Sequence, residues 1–329
     1  MGCNDEVGRD IVTMFGGGLG MLRSVSRHGW TVSMSTVSAP QTPEEADNRL
    51  LSVLWTCPDG TLELASANGD PGRLILDFPG VARAEISRPD RRVRVRPLIP
   101  DLSSHTIDHF VMDILLPRLI AESGALVVHG ALVSRGGDGI CLIGESGRGK
   151  STLSAALHDA GWGFHGDDAL VLHGSGAEIT AEASYPSLRL FPDSLEQLFP
   201  DPPAGLSPVA DYLDKFRLDP GQAAGSCRLR AVLVLGNDDG TGQITARPLS
   251  ASRLCMTLIG QGFTLNPSDR RAAQGRLTNA SAVSAAVPGI ELCYPRDYAR
   301  LPEAIDHISA ALDRVLKQAP AEAARKESS

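Results

Sequence analysis

The 329-residue chain has no Cys-x-x-Cys pair. Its six cysteines, Cys3, Cys57, Cys141, Cys227, Cys255 and Cys293, are scattered, which argues against a zinc site or a disulfide framework; reduced thiols in a cytoplasmic protein are the expectation. Basic residues are not in excess either. The 31 Lys and Arg against 39 Asp and Glu give a net charge of −8, so no global positive field points to nucleic acid or to an anionic membrane. Long apolar runs are missing: the segment Ile107 to Ile120 is too short for a bilayer and contains Asp113 and Arg118. Asp5, Glu6 and Asp10 stand where a secretory signal needs basic residues, and Glu6 occupies the position where N-myristoylation asks for Ser or Thr. There is no internal repeat. What is present, 42% hydrophobic and 21% charged residues, supplies a globular core, and the length allows about two domains.

Along the chain, residues 1–29 include FGGGLG (15 to 20), too rich in glycine to propagate a helix or strand, and read as a flexible lead-in. From 30 to 100, short apolar segments alternate with turn chemistry at Pro58-Asp59-Gly60, Gly69-Asp70-Pro71-Gly72 and Pro89-Asp90. This is the pattern of a small antiparallel β module, with ARAEIS and VRVRP as one hairpin. Arg91, Arg92, Arg94 and Arg96 read as its solvated face. Residues 101–318 form the larger domain. Ser103-Ser104 caps a helix whose apolar residues Ile107, Phe110, Val111, Ile114 and Leu115 share one face, and Pro117 is expected to interrupt it. ALVVHGALVSR and ICLIG read as strands, Thr152 to Ala160 as a helix closed by Gly161, and DALVLHG as a further strand. Leu301, Ile305, Ile308, Leu312 and Leu316 mark a last helix, and 319–329 a flexible tail. Strand, loop, helix, strand is the order of an α/β nucleotide domain.

The loop is GESGRGKST, Gly144 to Thr152, directly after the apolar run Ile140–Ile143. It satisfies G-x-x-x-x-G-K-[ST], the phosphate-loop (Walker A) pattern. Gly144, Gly147 and Gly149 allow a tight turn and a close backbone approach, so that N–H groups and the positive end of a helix converge on an anion. Lys150 supplies a point charge near the outer phosphates, and the Ser151 hydroxyl is placed for Mg²⁺. Glu145, Ser146, Arg148 and Thr152 complete the nucleotide-binding span, with no individual role for Glu145 or Arg148. Gly166-Asp167-Asp168 reads as a turn just past the loop helix, and His129-Gly130 lies one strand upstream. Two adjacent carboxylates beside a phosphate site suggest a division of labour, one on the metal and one taking a proton from an attacking hydroxyl.

The stretch from Val127 to Gly174 resembles the catalytic core of the HPr kinase/phosphorylase family, whose phosphate-loop architecture is shared with phosphoenolpyruvate carboxykinases. A His-Gly ahead of the loop strand, the loop itself and an Asp-Asp pair after the helix are all kept, with 21 positions from His129 to Lys150 and 18 from Lys150 to Asp168. The resemblance implies an α/β fold with an ATP- and Mg²⁺-dependent kinase core. It implies Asp168 as the base toward a substrate serine, His129 and Lys150 as further active-site residues, and Ser151 as a metal ligand; Asp167 as a second metal-side carboxylate is an inference from the pairing. DYLDKFRLDP is similar to a Tyr-Asp-Arg-Leu segment that carries an active-site arginine, with Arg217 the candidate and Lys215 the alternative. Two departures weigh against HPr itself as the acceptor. YPSLRLFPDS stands where the family has Glu-Ile-Arg-Gly, leaving Asp193 to take over the acidic contact, and the Pro-Gly-Arg-Asn stretch is not recognisable. The β module and SLRLFPDSL resemble a divergent branch that includes kinases of lasso-peptide and other modified-peptide pathways.

Three readings follow. The first is a kinase for a serine-type hydroxyl on a peptide or protein, homo-oligomeric if the resemblance extends to assembly. The second is a small-molecule kinase or carboxykinase-like enzyme on the same core. The third, a hydrolytic switch, fits least, because such switches carry their acid on a separate apolar strand whereas Asp167-Asp168 follow the loop helix directly.

Overall fold

The computed structural model describes residues 24–34, 49–57, 60–67, 69–175, 178–201, 205–219, 221, 225–238 and 240–326. FGGGLG and Pro58-Asp59 lie outside them. The chain is mixed α/β and divides into two compact units. The first takes the residues through Ser123 with Val209–Leu213 and Leu265–Asp269; the second takes Gly124–Pro208, Asp214–Thr264 and the residues from Arg270 on. The boundary therefore falls after the helix at 104–122 rather than at 100.

The first unit contains a seven-stranded sheet of β1 (Ser24–Arg27), β2 (Trp30–Met34), β3 (Arg49–Cys57), β4 (Gly60–Ala67), β5 (Asp70–Phe78), β6 (Ala82–Ser87) and β7 (Arg92–Pro97), in the order β1-β2-β7-β6-β5-β4-β3. Ser24–Arg27 thus forms a strand within the stretch read as a lead-in. The expected β6–β7 hairpin is present, while β2 joins β7 in parallel. Period-two alternation decides which face is buried: Val93 and Val95 are buried, and Arg92 and Arg94, which alternate with them, are exposed. Arg96 departs from the solvated reading; its side chain is 12% exposed and reaches toward Glu85 at 3.9 Å.

The helical segment of this unit begins at α1 (Ser104–His109), where the Ser103 hydroxyl accepts the Thr106 N–H at 3.2 Å. Phe110–Leu115 widens into a π-helix, with the Leu116 N–H bonded to the Val111 carbonyl, before α2 (Leu116–Glu122). Pro117 accounts for this: it has no N–H, and its ring would strike the carbonyl one turn back in a regular helix. Thr106 through Ile120 are all buried, not one face alone. The polar members find partners, as His109 Nδ1 does in Asp113 Oδ2 at 2.7 Å.

The second unit is organised by another seven-stranded sheet, β11-β10-β8-β9-β15-β17-β16. Its strands are β8 (Leu126–Arg135), β9 (Asp138–Ile143), β10 (Gly163–Ser175), β11 (Glu178–Ala183), β15 (Cys227–Leu235), β16 (Thr245–Leu249) and β17 (Gly289–Cys293). Between β11 and β15 come β12 (Leu188–Leu190), β13 (Ser207–Ala210) and β14 (Leu213–Leu218); β12 pairs with β14. Strands β9, β15 and β17 are parallel neighbours, so their carboxyl ends share one edge, where open α/β sheets form binding crevices. Both sheet faces are covered. Ala131, Val133, Ile140, Leu142, Ala231 and Leu233 point into one core, and Leu132, Cys141, Ile143 and Val232 into the other. Burying each large side chain contributes roughly 1.5–3 kcal/mol, which makes this alternation the main determinant of register.

The α-helices of this unit among the described residues are α3 (Lys150–Asp159), α4 (Pro192–Leu198), α5 (Ala251–Gly260), α6 (Arg270–Ala286) and α7 (Leu301–Lys326). Gly161, at φ 88, ends α3 as expected. The last helix runs to Lys326, past the end at 318 that the apolar pattern sets, so most of the segment read as a tail is helical. Among the described residues no helix is long and apolar enough to cross a membrane.

Candidate active site

The loop from Gly144 to Gly149 leaves the carboxyl end of β9 and enters α3. Gly149 is the N-cap residue, at φ 86, with no side-chain cap. A left-handed φ favours glycine, and a Cβ there would lie 3.0 Å from the Tyr294 hydroxyl. The uncapped N–H groups of the first turn remain for a ligand. Lys150 is buried, and its Nζ donates to the carbonyls of Gly144 at 2.8 Å and Glu145 at 3.0 Å. Burial pushes its pKa down to about 8, opposed by the charge of Asp168 and reinforced by Lys215.

Sheet register brings the second group of residues to this loop. Gly130 on β8 is opposite Ile143 on one side and Asp168 of β10 on the other. Gly130 has to be small, since a Cβ would come within 2.6 Å of the Leu142 carbonyl oxygen. Gly166-Asp167-Asp168 is not a turn. It lies inside β10, just beyond an irregularity between Phe164 and Gly166. Asp168 has φ 84, which Asp tolerates better than most residues and which still costs on the order of 1–3 kcal/mol. Neighbouring strand residues ordinarily face opposite ways; here both carboxylates reach the same guanidinium.

That guanidinium is Arg189 of β12. Its Nη1 lies 3.3 Å from Asp167 Oδ1 and 3.4 Å from Asp168 Oδ2, and its backbone N–H donates to Asp167 Oδ2 at 3.1 Å. The Tyr185 ring carries it at 5.2 Å. Asp167 is buried, and burial raises its pKa; Arg189 pulls the other way, Asp168 adds to the rise, and the Ser151 hydroxyl bond lowers it. Asp168 is held from the opposite side by His129, Nδ1 to Oδ1 at 3.3 Å. The backbone N–H of His129 donates to the Gln261 carbonyl at 2.8 Å.

These groups line a cleft of about 410 Å³. Of the residues singled out from sequence, His129, Ser146, Gly147, Gly149, Lys150, Ser151, Thr152, Asp167, Asp168, Asp193 and Lys215 border it. Arg217 is not among the lining residues. It pairs across β12–β14 with Arg189, and its guanidinium also lies over the Tyr185 ring, at 5.3 Å. Of the two cations in DKFR, the lining one is Lys215, 4.7 Å from the Phe191 ring centroid. Glu145 and Arg148 form an ion pair with each other and stay outside the lining.

Arg189, Ser194 and Tyr298 also line the cleft, and the sequence reading does not single them out. Arg189 does leave one signal: a cation between two buried leucines, Leu188 and Leu190, in a short strand needs a buried anion.

A glycine loop here opens a helix, and a lysine and two carboxylates converge on it within a mixed α/β unit. No family model matches the chain. The HPr kinase/phosphorylase of Nitrosomonas europaea is 40% identical over 76 residues, 23% of this chain and 23% of that protein. The chain thus matches less than a quarter of that relative's length, and over this stretch it is similar to an HPr kinase/phosphorylase. The HPr(Ser) kinase/phosphatase from Coxiella burnetii aligns in structure at 12% identity with a TM-score of 0.32, covering 58% of this chain and 97% of that one; so loose a superposition carries no argument.

Proposed function

We propose that the second unit is a P-loop kinase core that uses Mg-ATP to phosphorylate a serine-type hydroxyl on a peptide or protein. A modified-peptide precursor of the lasso type is the leading acceptor. The carrying observation is Asp168, a carboxylate fixed between His129 and Arg189 at the rim of the Lys150 loop. The sequence match to an HPr kinase/phosphorylase supports the same chemistry, and the departures at YPSLRLFPDS favour an acceptor other than HPr.

In this reading the N–H groups from Gly147 to Ser151 and the Lys150 ammonium hold the terminal phosphates. Asp168 accepts the proton of the attacking hydroxyl, and His129 fixes the carboxylate's orientation. The residues also fit a magnesium ion. Ser151 and Asp167 present hard oxygen donors bonded to one another, and Mg²⁺ takes only one or two protein oxygens alongside phosphates and water. It would supply charge neutralisation on the transferred group. Asp167 would share its charge between that ion and Arg189.

Incubation with Mg-ATP and candidate precursor peptides, followed by mass spectrometry, should show addition of phosphate that Asp168→Asn abolishes. The cleft volume suits a small hydroxy compound as well, so such compounds belong in the same screen. Labelling of these alone, or of HPr alone, would overturn the peptide reading.

A further inference from the structure

Beside the loop lies a row of four oxygen atoms. Thr152 Oγ1 is 3.0 Å from Ser194 Oγ, Ser194 Oγ is 2.9 Å from the Tyr298 hydroxyl, and Tyr298 donates to Asp193 Oδ2 at 2.8 Å. The row connects the first turn of α3, the first turn of α4 and the 3₁₀ turn Tyr298–Arg300. All four residues line the cleft. Nothing in the proposed chemistry uses Ser194 or Tyr298.

The proton count fixes the polarity of the row. A carboxylate only accepts, so Tyr298 must donate to Asp193, and each hydroxyl has a single proton. Ser194 must then donate to Tyr298, and Thr152 to Ser194. Burial, with Asp193 beside it, raises the Tyr298 pKa and keeps the phenol protonated. Thr152 therefore turns only lone pairs toward the loop. A phosphate oxygen arriving there also needs a donor. With an anion at each end the row has four links and three protons, so one link has to be lost.

We infer that Tyr298 is a positioning residue through which a phosphate bound at Thr152 and the Asp193 carboxylate compete for one row of protons. When phosphate accepts the Thr152 hydrogen bond, Ser194 turns to Thr152, Tyr298 turns to Ser194, and Asp193 Oδ2 loses its bond from Tyr298. No bond between heavy atoms forms or breaks; three hydroxyls rotate. The inference rests on the reading of Gly144–Thr152 as a phosphate site. It adds that filling the site takes the Tyr298 hydrogen bond away from Asp193, a carboxylate that already lines the cleft.

The test is binding, not turnover. ADP affinity is measured by isothermal titration without metal for the wild type, Tyr298→Phe, Thr152→Ala and the double variant. Tyr298→Phe removes the competing link and should tighten ADP binding by roughly threefold to tenfold, the worth of one hydrogen bond. In the Thr152→Ala background the same change should do nothing, which a merely structural role for Tyr298 would not produce. Ser194→Ala cuts the row at its middle and should also tighten binding, so the result does not hang on one variant folding. Equal or weaker ADP binding in both Tyr298→Phe and Ser194→Ala overturns the inference while leaving the phosphate site standing. Absence of ADP binding to the wild type overturns the phosphate site and the inference together.

Discussion

Replacing Arg189 with methionine keeps an unbranched side chain but removes the guanidinium that lies over Tyr185 and leaves two adjacent carboxylates, one of them buried, without their shared cation. Arg189 makes ion pairs at 3.3 Å and 3.4 Å, with its own side chain 7% exposed and Asp167 3% exposed. Solvent screening therefore gives little relief. Breaking such a pair costs about 3–5 kcal/mol, or roughly 6–20 °C in Tm for a unit of this size. The pH dependence gives the sign. Asp167 already has its pKa raised by burial against the pull of Arg189, and removing the guanidinium raises it further. A carboxyl with a raised pKa in the folded state favours folding when protonated and opposes it as pH climbs past the unfolded value. The loss should therefore be larger near about pH 8 than near about pH 5, because protonation of the carboxyl, favoured more strongly in the variant than in the wild type, relieves it at the lower pH. Thermal unfolding followed by circular dichroism at both pH values measures this. A loss below about 1 kcal/mol at the higher pH, or an equal loss at both, would refute the claim that Arg189 neutralises the pair.

Asp168→Asn should fold normally, since Asn tolerates a positive φ, and should lose roughly 10²- to 10⁴-fold in phosphotransfer rate while still binding ATP; stopped assays with labelled ATP and a parallel binding titration separate the two. Because Lys150 titrates at about 8 and only its charged form attracts phosphate, ADP affinity should fall as pH rises through that value, and Lys150→Ala should flatten the profile and weaken binding throughout. Gly149→Ala places a Cβ 3.0 Å from the Tyr294 hydroxyl at φ 86 and should abolish nucleotide binding in a protein that still folds, as seen by titration and circular dichroism side by side.

What the sequence made legible was local. The β9–loop–α3 unit is contiguous, each glycine in it answers a backbone need, and the β6–β7 hairpin shows in a strict alternation of valine and arginine. The carboxylate pair was visible as residue types, but not its setting: nothing in Gly-Asp-Asp distinguishes a turn from an irregular strand interior until β8 supplies the register. Arg189 meets Asp167 across 22 positions and Tyr298 meets Ser194 across 104, and no pattern of period 2 or 3.6 encodes such meetings. The parallel β2–β7 pair was hidden for the same reason, whereas the interruption at Pro117 was legible and only its π-helical form was not.

The bonds from Lys150 to the Gly144 and Glu145 carbonyls have a consequence for selectivity. They make the lysine an occupant of its own loop, so an arriving anion meets a resident competitor. Drawing the ammonium away strands two carbonyl oxygens, and water has to solvate them before any net affinity appears. A single phosphate or sulfate, which offers one small cluster of charge, gains too little to evict the lysine. A chain of phosphates gains the loop N–H groups and the ammonium at once, and clears that threshold. The loop should therefore respond steeply to phosphate-chain length, with pyrophosphate binding far more tightly than the two-charge difference from inorganic phosphate would give by simple attraction. Titrating both anions into Lys150→Met, where the resident is gone, should shrink that contrast.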